Sequence, residues 1–270
     1  MTGPRVVLAG VLLIGLAMLP PTPADAGQVT CEPNVMQVGE MEAAVQSAVN
    51  LKRELEKGRT KAAIIARVGS DVRKQGLKYT HVAFVRWNTS LRQWIVTHQL
   101  NDCGSGNSRL VNHGLLEFMI DDPFSWDILV IHVKPSLQRA IVDTLKSGDP
   151  KIIHDPRYSM ISYPRGEPRY QNSNQWLLEA LTQAQARLEG ARLFSRAQTH
   201  AYYQRRGFRG SIIRISGFKR AFSGSIPHIK FDDHPDGGAA SGRYEIVSVK
   251  SVVNYLRRQN LVTRTTELRL

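Results

Sequence analysis

The chain has 270 residues, with 36 Lys and Arg against 23 Asp and Glu and a formal net charge of +13. That length suffices for one sizeable core or two small ones. Beyond the N-terminal segment no apolar run approaches membrane-span length, so an integral protein built of spanning helices is excluded. The positive excess reads either as recognition of an anionic partner or as a solubilising surface.

The first residues set the expected compartment. Arg5 precedes an apolar run from Val6 to Leu19, Pro20-Pro21 breaks it, and Ala24-Asp25-Ala26 fits the small-x-small rule for signal peptidase. Residues 1–26 therefore read as a cleavable signal peptide, and 27–270 as a single exported domain, periplasmic or secreted. In that compartment the expected anionic partner is an envelope component such as peptidoglycan, lipid or lipopolysaccharide, and nucleic acid is not expected. The cysteines, Cys31 and Cys103, would by default form a disulfide there. Closing that loop would contribute about 4 kcal/mol on the chain-entropy account.

From Glu40 to Lys57 the residues Ala44, Ala48, Leu51 and Leu55 recur at helical spacing before Gly58. Thr60 to Val68 reads as a strand or a helical turn. Lys78 to His98 reads as a β-hairpin: Val82, Phe84 and Trp87, then Trp94 and Val96, flank the polar turn Asn88-Thr89-Ser90. His81 opens the first strand and His98 closes the second, so both imidazoles are expected at one end of the hairpin.

Asn101 to Ser108 is loop by composition. Leu115 to Met119 is a helical turn, Asp127 to Val133 a central strand, and Pro135 to Leu145 a helix with proline in its first turn. Lys151 to Arg169 is irregular, a length usual for a functional loop or a disordered one. A helix then runs from Asn172-Ser173 to about Glu189, with Trp176, Leu177, Ala180, Leu181 and Ala184 as its apolar stripe. A second helix covers Ala197 to Arg206. The remainder alternates short strands (Ser211 to Ile215, His228 to Phe231, Tyr244 to Val249, Val262 to Leu268) with a helix from Ser251 to Arg258. Grouped strands and clustered helices predict an α+β fold.

Three constellations stand out. Ser173, at a helix start, is matched with His81 as base and His98 as the group that orients it, because a helix N-terminus favours a nucleophile or oxyanion. The same residues also read as a cap, with Asn172 at the N-cap and Gln175 completing a capping box. Asp232-Asp233-His234-Pro235-Asp236 has ligand types suited to a divalent cation, and equally reads as a solvated acidic turn. No cofactor or metal is assigned. Finally, the nine Arg and Lys from Arg187 to Arg220 stand against the single acid Glu189, with Tyr202, Tyr203 and Phe208 interleaved. This is either an anionic-partner surface or a solvated helix face.

Gly69-Ser70-Asp71, Tyr79-Thr80-His81-Val82-Ala83-Phe84-Val85, Trp94-Ile95-Val96-Thr97-His98 and Asn172-Ser173-Asn174-Gln175-Trp176-Leu177 resemble the layout of circularly permuted papain-like proteins of the NlpC and lecithin:retinol acyltransferase branch. With His98 to Gly104 and Phe231 to Pro235, the mature chain more narrowly resembles the bacterial family numbered twenty-one forty-five among domains of unknown function. The papain-like resemblance implies an antiparallel sheet packed against a central helix beginning near Ser173. It further implies hydrolysis or acyl transfer at an amide or ester, His81 as base, His98 as orienter, and Ser173 where the superfamily has cysteine. Asn172, Gln175 and Tyr79 are the expected substrate contacts. A binding or scaffolding module with the same fold and no chemistry is the alternative.

Overall fold

The computed structural model describes residues 35–58, 60–121, 123–223, 226–235 and 241–270. The expected signal segment, Cys31 and Asp236 lie outside the described residues, and so therefore does the expected Cys31–Cys103 bridge.

Helix α1 (Val38–Glu56) precedes strand β1 (Ala62–Val68), the hairpin β2 (His81–Asn88) and β3 (Gln93–Asn101), and β4 (Ser108–His113). Then come α2 (Leu115–Ile120), β5 (Ser125–Val133), α3 (Pro135–Ser147), α4 (Asp149–Ile152), α5 (Ser173–Arg187) and α6 (Arg196–Arg205). The chain closes with β6 (Ser211–Arg214), α7 (Gly217–Ser223), β7 (Arg243–Ile246), α8 (Val249–Arg258) and β8 (Val262–Leu268). Six strands form one sheet in the order β4-β3-β2-β1-β5-β8, and β6 and β7 form a separate pair. Every pairing is antiparallel, and with helices on both faces the class is α+β.

Strand alternation divides the core. Ala62, Ile64 and Ala66 of β1 with Val82 and Phe84 of β2 pack against α3, α5 and α8. Ala63 and Ile65 with Ala83, Val85, Trp94 and Val96 pack on the opposite face against α1 and Phe118 of α2. A sheet covered on both faces explains why β1, whose seven residues are all buried, lacks the polar alternation of a half-exposed strand.

Helix α5 departs from its expected amphipathic stripe. Residues 173 to 186 are all buried, including Glu179, Thr182 and Gln183. Its polar faces are consumed by partners. Arg196 and His200 of α6 and Gln171 bond the fully buried Glu179 carboxylate, while Gln183 donates to Leu193 O. Burial alone would raise the Glu179 carboxyl, and the Arg196 guanidinium with the hydrogen bond from His200 overcomes it, holding the group below its ordinary range.

The long irregular segment before α5 is held by its own side-chain bonds. Gln171 accepts from Asp155 N–H at 3.0 Å and donates to Ile153 O at 3.0 Å. Arg196 donates to Pro168 O and Tyr170 O, and Tyr203 to Pro164 O. These bonds satisfy the buried backbone that a structureless stretch would leave unpaired. Strand β4 begins at Ser108, where the expected loop ends, in a stretch with no predicted element, and residues 228 to 231, expected as a strand, are turn and irregular backbone. Short runs lack a period that separates these states.

Candidate functional site

Three imidazoles lie side by side across three strands. His81 follows the parity of Ala83 and Val85, His98 that of Trp94 and Val96, and His113 is the direct cross-strand partner of Val96. All three therefore project to the α1–α2 face. His81 Nε2 meets His98 Nδ1 at 2.8 Å, and His98 Nε2 meets His113 Nδ1 at 3.2 Å. Phe118 packs on His81 and His98, with ring centroids 5.9 and 5.3 Å away. Each neutral imidazole has one donor and one acceptor, so the tautomers are coupled. If His81 presents an unprotonated Nδ1, its Nε2–H donates to His98 and the Nε2–H of His98 donates to His113; reversing one reverses all.

Burial, then Arg67, His98 and His113, push His81 well below its ordinary pKa. Burial, His113 and Arg67 do the same to His98. Arg67 is the register partner of His81 and pairs with Asp121, so the carboxylate on this side answers the guanidinium rather than an imidazole. His81 and His98 are therefore uncharged near neutral pH.

His81 also stands at the end of the sheet, where a cavity of about 260 Å³ is walled by Arg67, His81, Cys103, Arg109, Tyr158 and Ser173 among others. Ser173 is the first residue of α5, because Asn172 takes the extended N-cap conformation and its side chain accepts from Gln175 N–H at 2.9 Å. The helix start is tied to the strand entrance by Asn174, which donates to Thr80 O at 3.0 Å. Ser173 and His81 thus share one cavity. Tyr158, from the segment before α5, lines the same cavity, and burial pushes its phenol up to about 12.

The other expected contacts sit elsewhere. Asn172 donates to Met160 O and to Ser162 Oγ. Gln175 bonds Ser162 and His200, so its side chain serves the loop and α6 rather than a capping box. Tyr79 is buried in the core beneath α5 and α8. None of the three is part of the cavity wall. The structure adds Tyr158, Arg67 and His113 to the neighbourhood. Tyr158 comes from the irregular segment and His113 from the unrecognised β4, and neither carries a motif.

The two remaining constellations are largely absorbed by the fold. Asp233 accepts from Tyr163 N–H at 2.8 Å and His234 Nε2 lies 2.6 Å from Ile161 O, so this loop clamps residues 161 to 163. Among the described residues no group of three or more metal-ligating side chains is assembled. In the basic run, Arg187 and Arg192 pair with Asp149, Arg196 with Glu179 and Asp155, and Arg206 with Glu189. Tyr202, Tyr203 and Phe208 are buried.

The fold and cavity define an α+β protein in which one antiparallel sheet carries a row of three histidines whose first member, His81, lines a cavity at the start of α5. Residues 54–256 match the family described as an uncharacterized protein conserved in bacteria (DUF2145), and the chain belongs to that family. No curated protein and no solved structure matches it. No helix among the described residues is long and apolar enough to cross a membrane.

Proposed function

We propose that this is an exported binding module whose cavity at the start of α5 receives an anionic group of an envelope component. The observation that carries this reading is the wall itself. Arg67 and Arg109 line the same cavity as Ser173, where the first N–H groups of a fifteen-residue helix have no intrahelical acceptor. Asp121 and Asp102 hold the two guanidinium groups in place. A bound carboxylate would accept from the helix N–H groups and the Ser173 hydroxyl. Titration with a soluble carboxylate-bearing muropeptide tests it: saturable binding should weaken about tenfold in Arg109→Gln, the loss expected for one charge-assisted hydrogen bond. Equal binding by Arg109→Gln refutes the assignment.

A second reading, hydrolysis or acyl transfer at an amide or ester in a permuted papain-like core, is favoured by Ser173 and His81 sharing the cavity. His81 Nε2 is occupied by His98, so Nδ1 is the nitrogen that would take the hydroxyl proton, with helix-start N–H groups as an oxyanion hole. Against it stands strand parity: the His81 imidazole follows Ala83 and Val85 to the α1–α2 face, opposite α5, and among the described residues its hydrogen bond goes to His98 and not to Ser173. A serine-directed fluorophosphonate decides: labelling of wild type that is lost in Ser173→Ala and in His81→Ala establishes the enzyme, and an unlabelled wild type leaves the binding module.

A further inference from the structure

The opposite end of β2 carries a second cavity. Arg86 lies five residues along the strand from His81, roughly 17 Å at the usual rise, and follows the parity of Val82 and Phe84, so it projects to the α3 face. There Arg139, Val142, Asp143 and Lys146 recur at helical spacing on one side of α3. The backbone brings the last cation in: Lys61 N–H donates to Gln138 Oε1 at 2.8 Å, and Trp87 N–H to Lys61 O at 3.0 Å. Together with the turn residues Asn88, Thr89 and Ser90 these side chains enclose a cavity of about 590 Å³, within the range of small-molecule sites.

Its charge is uncompensated. Lys61, Arg139 and Lys146 are exposed and Arg86 is half-buried, whereas other buried or half-buried guanidinium groups have acids, as Arg67 has Asp121, Arg165 has Glu245 and Arg196 has Glu179. Among the described residues no carboxylate lies in ion-pair range of Lys61, Arg86, Arg139 or Lys146, and Arg86 Nε is buried with no hydrogen-bond partner. Burial alone lowers the Arg86 guanidinium, with no acid to restore it. A buried guanidinium N–H left unpaired costs free energy that a bound acceptor would return.

We propose that this cavity is a binding site for a phosphomonoester. Four cations against the single acid Asp143 leave a local excess that one carboxylate would not neutralise and that a dianion with three acceptor oxygens fits better. The cavity is larger than a phosphate ion needs, so the group carries an organic substituent. The ring of Trp87 packs against Trp94 at 5.5 Å, on the far face, and contributes no stacking. This site is independent of the α5 cavity and stands or falls without it.

Calorimetric titration of the whole protein with glucose 6-phosphate at low ionic strength tests it, with glucose as the neutral comparison. Flotation with phosphatidylcholine vesicles containing phosphatidic acid distinguishes a lipid headgroup from a soluble ester. Saturable binding to either probe is expected, weakened about tenfold or more in Arg86→Gln and in the double variant Arg139→Ser/Lys146→Ser, and unchanged in Arg209→Ser on the remote basic run. The double variant changes only exposed side chains and keeps the test valid should Arg86→Gln fold poorly. Absence of saturable binding to both probes, or binding that survives the double variant, or an equal loss in Arg209→Ser, overturns the site.

Discussion

Two buried histidine clusters lie on opposite faces of the sheet, and their electrostatics differ. His200 on the α5 face shares the Glu179 carboxylate with Arg196, so charge is compensated inside a closed network. His81 and His98 on the α2 face bond only to imidazole and lie beside a guanidinium. The first arrangement secures a helix and a long loop. The second keeps two buried, neutral rings, of which His81 alone lines the cavity at the start of α5. Burial alone therefore does not set the electrostatics of a histidine in this molecule; the presence or absence of a carboxylate partner does.

The largest expected effect breaks the compensated cluster. Glu179→Ala leaves Arg196 buried without its main acceptor and should cost about 3–5 kcal/mol, read from urea unfolding of variant and wild type. Loss below about 1 kcal/mol would mean that Asp155, the second partner of Arg196, carries the pair.

A pH titration of stability sharpens the contrast. His81 and His98 have native pKa values below the unfolded value of 6.5, so the unfolded chain binds more protons as pH falls below 6.5. Stability is fully present above that pH and declines below it, by up to about 1.4 kcal/mol per pH unit for each group. His132 and His154 are lowered as well and add to the same limb. The double variant His81→Asn/His98→Asn should flatten the slope in urea unfolding series between pH 6.5 and 5, and an unaltered slope would assign it to the other histidines.

The smallest effect concerns the outer end of the row. His113 is half-buried, so His113→Asn should change stability by less than about 1 kcal/mol. Its signature is instead the tautomer: nitrogen-15 chemical shifts of His98 should change on loss of its Nε2 partner, and unchanged shifts would show that the rings are not coupled.

Legibility followed from how local each signal was. The hairpin with a histidine at each outer end, the helix start at Asn172-Ser173 and the apolar strand before Pro135 were readable because strand alternation, N-cap chemistry and proline at a first turn act within a few residues. The buried polar faces of α5 were not. Glu179 looks like any solvated helix residue until Arg196 and His200 arrive from a different helix. The two readings of the basic run could not be separated for the same reason: Arg187, Arg192, Arg196 and Arg206 find acids that spacing along the chain does not reveal.

By itself the amino-acid order determined the main helices and the central strands, the mixed class and the two strand-borne histidines His81 and His98, since these depend on short-range periodicity and turn chemistry. Tertiary structure alone decided that both project away from α5, that His113 extends their row, that Tyr158 joins Ser173 in one cavity wall, and that Lys61, Arg139 and Lys146 from two other segments gather around Arg86. Those outcomes depend on strand order, register and helix placement, which set long-range distances and the local dielectric, and no residue carries that information in its immediate neighbours.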